Sequence, residues 1–567
     1  MHRTFKTSLK RQQTYLDGYW DFIVDPDDRG LDEGWHERFP AVSQQVWVPG
    51  VWNTLRSYLN YEGVAWYHSA LTLSECSAAA IQFAAVTHQA NIWLDGEPLG
   101  EHYGSFLPFS FLVVQPAPGF HDLIVRVDNT HDMTSTIPSA NLDWFRYGGI
   151  PRPVWVEQLT GPGYIASLRL VPTYSGSRCM LRVNAELANL TDQPLDQVWE
   201  LWVGNQLIVS DIAHLSSADT QPIVITVSLP QCKLWSPSEP NLYRVQLEFA
   251  HDDIIDRIGF HQLELSGRQI LLNGAPIQIH GVNRHEDHPE WGFAIPEHLT
   301  LRDLELVKDL NVNSLRTAHY PCDQRLLDLC DERGILTIEE IPLSGFSAEQ
   351  LAIDIIADRA SAMLWGTINR DINHPCIWAW SLLNECDTTS AEGRNVVDHL
   401  ASTAREADPS RPITYATHNA LRDVCFDLVD FVTVNAFFGW YSYDFTWPAF
   451  LDRLRTKIGD KPLLVGEFGA EGLYGFRALE EDVMWSEEYQ RKVVCECAEH
   501  LLQRDDLLGF YIWQFCDSRT DGGIHALGRP RNYNNKGLLD EYRRPKLAYY
   551  ALRELLKSSG THQIKLI

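Results

Sequence analysis

The chain has 567 residues, 45% of them hydrophobic, and a formal charge of -28. That length and apolar content predict three or four globular domains. The acidic balance excludes nucleic acid and anionic membrane as partners, because binding phosphate needs clustered cations, and an anionic substrate would need a local cation aimed at it.

Met1-His2-Arg3-Thr4-Phe5-Lys6 leads into polar residues without the apolar stretch of a signal peptide, and no later run is long enough to cross a bilayer, so the cytoplasm is the simplest address. Eleven cysteines with neither CxxC spacing nor a His-rich partner motif predict reduced core thiols, with no disulfide framework and no metal site.

Up to about Val156 the chain is rich in Trp, Tyr and short alternating segments such as Ala90-Asn91-Ile92-Trp93-Leu94, followed by the turn signal Asp95-Gly96. This reads as a β-sandwich. From about Pro162 to Phe260 a second all-β stretch, with alternation in Ser167-Leu168-Arg169-Leu170 and Tyr243-Arg244-Val245-Gln246-Leu247, has the length of an immunoglobulin-like module. After Gly267 short apolar runs alternate with amphipathic stretches of helical length. Strands are predicted at Ile277 to Val282, Ser314 to Arg316, Leu336 to Glu339, Ile377 to Leu382, Ile413 to Tyr415, Phe431 to Val434, Leu463 to Val465 and Gly509 to Trp513. Helices are expected at Pro296 to Leu310 and Asp323 to Glu332. Eight strands, most followed by a helix, predict a (β/α)₈ barrel.

Glu385 and Glu467 each close a predicted strand of that barrel. In a parallel barrel the strand ends converge on one mouth, so carboxylates distant in sequence can flank a single bond. Retaining cleavage of a glycoside needs such a pair about 5–5.5 Å apart, one carboxyl protonated to push the leaving oxygen and one ionised to attack the anomeric carbon. Asn384-Glu385 fits the acid, with the neighbouring amide placed to bond the sugar's 2-hydroxyl, and Glu467, after a flexible Gly466, fits the nucleophile. Taken singly, either Glu also reads as a solvated loop acid. Trp365, Trp378 and Trp380 read as core aromatics, and His285, His319 and Arg316 are open to structural roles.

Asn313-Ser314-Leu315-Arg316-Thr317-Ala318-His319-Tyr320-Pro321 and Asn373-His374-Pro375-Cys376-Ile377-Trp378-Ala379-Trp380-Ser381-Leu382-Leu383-Asn384-Glu385 resemble the two signatures of glycoside hydrolase family 2. The resemblance covers the whole chain. It implies a jelly-roll sugar-binding-like sandwich over 1–161, an immunoglobulin-like sandwich over 162–262 and a catalytic (β/α)₈ TIM barrel over 263–567, with Glu385 as acid/base, Glu467 as nucleophile and no cofactor. Family members commonly form homo-oligomers.

Within the family the pattern looks most like β-glucuronidases. The resemblance implies that Asp287 holds sugar hydroxyls, that His319 lies at the sugar site and that Trp513 lines the sugar platform. Asn534-Asn535-Lys536-Gly537 is similar to the Asn-x-Lys motif that recognises a C6 carboxylate, Asn534 and Lys536 giving charge-assisted hydrogen bonds that a neutral sugar cannot use in the same way. A tyrosine that hydrogen-bonds the nucleophile in glucuronidases is replaced by Phe437, which predicts a raised pKa for Glu467, while Tyr441 is retained. Arg519, Arg529 and Arg531, in a long loop between Trp513 and Asn534, are expected to be exposed, and the short segment from Phe346 to Trp365 predicts an open mouth suited to oligosaccharides or bulky aglycones. The expected substrate is a terminal β-glucuronide. A β-galactosidase, a β-galacturonidase and a non-catalytic carbohydrate-binding homologue remain alternatives.

Overall fold

Alternating side chains give each early strand one apolar face, and sheets with one apolar face pack in pairs. The computed structural model, which describes residues 2–140, 142–176, 178–229, 232–521 and 528–563, shows two such sheet pairs followed by a closed barrel. Met1 and residues 522–527 of the loop before Asn534 lie outside the described residues.

The first pair joins a six-stranded sheet centred on Val64–Leu73 and Gly119–Asp128 to a four-stranded sheet containing Ala78–Phe83 and Val154–Leu159. Trp20, Phe22, Ile81, Ile92 and Val125 fill the space between them. Asp95 and Gly96 both take positive φ, 53° and 83°, and reverse the chain between Gln89–Leu94 and Glu97–Tyr103. In the second pair, three strands from Gly163–Ser175 to Thr220–Leu229 face four that end with Asp252–Ile258.

The expectation of wholly reduced cysteines is corrected in this second unit. Cys179 and Cys232, with Cα atoms 6.4 Å apart, are joined by a disulfide, and the other nine cysteines are unpaired. The partners are 53 residues apart in sequence, so no local spacing announced them.

The barrel strands are β1 (Ile279–Arg284), β2 (Ser314–Thr317), β3 (Leu336–Glu340), β4 (Ile377–Asn384), β5 (Ile413–Thr417), β6 (Val432–Asn435), β7 (Leu463–Glu467) and β8 (Gly509–Ile512). All pairings are parallel, and β8 closes on β1 with Ile279 opposite Gly509. Strand β1 starts two residues later than expected, because Ala275–Ile277 pairs into a small three-stranded sheet ahead of the barrel. Strand β5 is followed only by the single turn Phe426–Leu428, whereas the other strands lead into α-helices. Trp378 and Trp380 are fully buried in the core, but Trp365 is exposed on the helix Asp354–Asp371, contrary to expectation. No helix among the described residues is long and apolar enough to cross a membrane.

The N-terminal segment straps the second sandwich to the barrel. Arg3 donates from Nη1 to Asp256 at 2.8 Å and from Nη2 to Asp328 on the helix Gln324–Arg333 at 2.7 Å, all three side chains being buried. Removing one partner of a buried ion pair leaves a stranded charge, so Arg3→Ala is expected to lower unfolding free energy by about 3–5 kcal/mol. Chemical denaturation followed by tryptophan fluorescence checks this; an unchanged midpoint would show that the strap contributes nothing.

Candidate active site

Strands β2, β3, β4 and β7 end on polar residues that meet in a buried network around Arg316. Nη1 donates to Glu467 at 2.8 Å and to Asn283 at 2.9 Å, while Nη2 donates to Glu340 at 2.8 Å and to Asn384 at 2.9 Å. Asn435, ending β6, extends the network by donating to Asn384 at 3.1 Å and to Glu385 at 2.8 Å. Both glutamates are thus held to one scaffold. They line a cavity of about 790 Å³ at the mouth formed by the strand ends.

Local backbone shape explains the placement. Glu385 takes φ 51°, a left-handed conformation that costs a non-glycine residue on the order of 1 kcal/mol and turns its side chain out of the strand. Gly466 is required for space rather than for flexibility, since a Cβ there would lie 2.6 Å from Thr433 Cγ2 and 2.7 Å from Asn435 Oδ1. Closeness to β6 is therefore what the glycine permits.

Burial pushes Glu467 up to about 8; Arg316 opposes the rise, the charge of Glu385 adds to it, and Phe437 brings no hydroxyl to offset it. Glu385 is desolvated too, but hydrogen bonding and charge from His418, followed by the Asn435 contact, outweigh that and hold it at about 2. Between those values the pair carries a single proton, as a carboxyl–carboxylate mechanism needs, with burial favouring the protonated form of Glu467. His418 Nδ1 lies 3.5 Å from Glu385 Oε2. Asn419 Nδ2 approaches His418 Nε2 at 2.8 Å, so the proton of the neutral ring belongs on Nδ1, facing the carboxylate.

His319 binds Glu340 through Nδ1 at 2.8 Å, leaving Nε2 4.0 Å from Glu467, and its ring stacks on Trp513 at 5.0 Å. His319, Trp513, Asn384, Tyr441 and Lys536 all line the cavity. Lys536 is 1% exposed and donates to the Tyr441 hydroxyl at 2.6 Å and to Glu471 at 3.3 Å. Arg529, expected to be exposed, lines the same wall and donates to Tyr441 at 3.1 Å. Arg519 instead covers the Phe145 ring at 3.5 Å, and Arg531 is exposed and pairs with Glu541.

Two placements differ from the sequence reading. Asp287 does not line the cavity: its oxygens accept from the Tyr147 hydroxyl at 2.6 Å and the Arg519 amide at 2.7 Å, so it braces the first sandwich against the barrel. The first sandwich instead brings Asp143 and the adjacent Trp144 to the cavity wall, where Glu471 also lies. Asn534 also stands behind the wall, donating to Asp143 at 3.2 Å, while Arg529 pairs with Asp143 from the other side. Sequence reasoning missed Asp143, Glu471 and His418; none lies in a periodic segment, and only the charge of Asp143 beside a tryptophan offered a signal.

Such a site, two carboxylates at a barrel mouth walled by aromatics and polar groups, defines a glycoside hydrolase. The sequence matches the family description "Glycosyl hydrolases family 2, TIM barrel domain" over residues 263–559 and "Glycosyl hydrolases family 2" over residues 163–261. The chain belongs to glycosyl hydrolase family 2. It is similar to a GH2 beta-galacturonidase from Eisenbergiella tayi bound to galacturonate, with 34% identity and a TM-score of 0.91, over 98% of this chain and 99% of that one. The beta-glucuronidase of Paenibacillus borealis is 27% identical over 99% of both chains. The b-glucuronidase from Ruminococcus gnavus in complex with D-glucuronic acid is 25% identical with a TM-score of 0.86, over 98% and 99%.

Because His418 holds Glu385 low, His418→Ala is expected to return that carboxyl toward the ordinary range. The acid limb of kcat/KM against pH for an aryl glycoside then moves to higher pH. An acid limb that stays in place would detach His418 from the proton balance.

Proposed function

We propose that the chain is a retaining exo-β-uronidase that removes a terminal β-linked hexuronic acid. The carrying observation is the hydroxyl of Tyr441, which accepts from both Lys536 and Arg529. With its acceptor positions filled, its own proton is left for a ligand. Lys536 keeps a third N–H beyond those directed to Tyr441 and Glu471. Two donors on one wall, one of them cationic, suit a carboxylate and leave a neutral CH₂OH under-used.

In this reading Glu467 attacks the anomeric carbon while Glu385 gives its proton to the leaving oxygen, whose bond to that carbon breaks. Water, deprotonated by Glu385, then displaces the sugar from Glu467. Substrate binding has to move the shared proton from Glu467 to Glu385, and the change is favoured as the aglycone covers Glu385 and positive charge develops beside Glu467. Arg316 holds the Glu467 carboxyl group in place throughout, and Asn384 keeps an amide N–H for the sugar's 2-hydroxyl. No cofactor enters these steps.

Two sugars fit this proposal. A β-glucuronide is supported by the glucuronidase relatives, and a β-galacturonide by the 34% identity to the E. tayi enzyme. A panel of aryl glucuronide, galacturonide, galactoside and glucoside is expected to show one of the two uronides as the best substrate; preference for a neutral glycoside would defeat the reading. Lys536→Ala should lower kcat/KM for that uronide by about 10²-fold, the worth of a charged hydrogen bond. Glu467→Gln should lower kcat on the order of 10⁴-fold or more with the fold retained, as judged by circular dichroism. Wild-type turnover in that variant would remove Glu467 from the mechanism.

A further inference from the structure

Lys536 enters the cavity from the turn Asn534-Asn535-Lys536-Gly537, and the backbone of that turn is held by side chains that do not line the cavity. Lys546, fully buried one residue ahead of the helix Leu547–Gln563, donates from Nζ to the Asn535 carbonyl at 3.0 Å and to Asp517 Oδ1 at 2.7 Å. The same Asp517 oxygen accepts from the Gly537 amide at 2.9 Å. Gln490, fully buried on the helix Glu487–Leu502, donates from Nε2 to the Gly537 carbonyl at 2.9 Å and to the Ala470 carbonyl at 3.1 Å. Ala470 adjoins Glu471, the carboxylate that accepts from Lys536, so one amide ties together the backbones of both partners in that contact. Gly537 fits closely: a Cβ there would lie 2.2 Å from the Asp517 amide nitrogen and 2.3 Å from the Leu539 carbonyl oxygen.

Taking an ammonium and a carboxylate out of water is unfavourable, and an apolar pair of similar volume would serve stability as well or better. What the Lys546–Asp517 pair adds is direction. The Asn535 carbonyl and the Gly537 amide belong to the two planar peptide units on either side of the Lys536 Cα, and each is gripped by one member of the ion pair. Fixing both planes fixes the two soft backbone dihedrals of Lys536, and with them the bearing of its side chain. A long, flexible ammonium arm gains most from such anchoring at its root, since it carries about 2 kcal/mol of rotamer entropy of its own.

Resting on the uronidase reading above, we infer that Lys546, seconded by Gln490, is a positioning residue for acidic-sugar recognition, locking the peptide planes around Lys536 so that its ammonium is aimed at the sugar's carboxylate. Neither residue reaches the sugar or the reacting atoms. Releasing them loosens the hold on the acid arm and leaves the contacts of Arg316 with Glu467 and of Asn435 with Glu385, which serve the chemical steps, as they are.

The test uses Lys546→Met, which keeps the length of the side chain and removes its charge, and the double variant Lys546→Met/Asp517→Asn, which keeps an acceptor for the Gly537 amide without a stranded carboxylate. Gln490→Met removes the grip on the Gly537 carbonyl and reads the same turn where the first two fail to fold. For the better aryl uronide, KM is expected to rise about tenfold, part of the loss that removing the Lys536 ammonium itself brings, with kcat within about threefold of wild type, the pattern of lost uniform binding. The ratio of kcat/KM for that uronide to kcat/KM for the aryl galactoside should fall by the same factor. A melting temperature that drops while KM and the ratio stay at wild-type values marks a merely structural lysine and overturns the inference, as does a fall in kcat at unchanged KM. If the wild type cleaves no uronide, the uronidase reading fails and this inference with it; if it does and every folded variant keeps the wild-type KM, this inference alone fails.

Discussion

The guanidinium of Arg316, 1% exposed at the centre of the barrel mouth, is the contact on which the site depends. Its five N–H groups reach Asn283, Glu340, Asn384 and Glu467, which tie β1, β2, β3, β4 and β7 together. Charge follows from the same geometry. One buried cation faces two carboxylates; Glu340, which takes two of its nitrogens and a histidine, is held low, and Glu467 is pushed up. The network keeps the Glu467 carboxyl in one position. Positioning of that kind removes much of the entropic barrier of a displacement.

A second balance operates at the opposite wall. Lys536 and Arg529 would repel each other in a buried space, yet Glu471 accepts from Lys536 and from the Asn535 amides, and Asp143 pairs with Arg529. The two carboxylates balance the two cations, so the wall is close to neutral. In a chain of charge -28 this local arrangement, not the overall field, is what would make room for an anionic sugar.

The barrel could be read from the chain because its strands are apolar runs buried on both faces, and all eight lie within a few residues of the expected positions. Glu385 and Glu467 were visible because each ends such a run. Asp143 was not, since it lies on an irregular loop of a different unit and nothing local marks its direction. Asp287 shows the converse: a motif position indicated a sugar contact, but the Tyr147 hydroxyl and the Arg519 amide, far away in sequence, occupy its oxygens. Gly466 reads as merely flexible because sequence shows a missing side chain without showing the neighbours that require its absence. The Cys179–Cys232 pair escaped for a related reason, as proximity there is created by the sandwich and not by spacing.

Trp144 and Asp143 reach the cavity from a segment that precedes the barrel by more than a complete sheet pair. A fragment beginning at the first barrel strand would keep both glutamates and Arg316 yet present them in a trough open on one side, with His319 stripped of the Trp144 ring that packs 5.3 Å from it. The sandwich is in this sense part of the floor plan of the cavity.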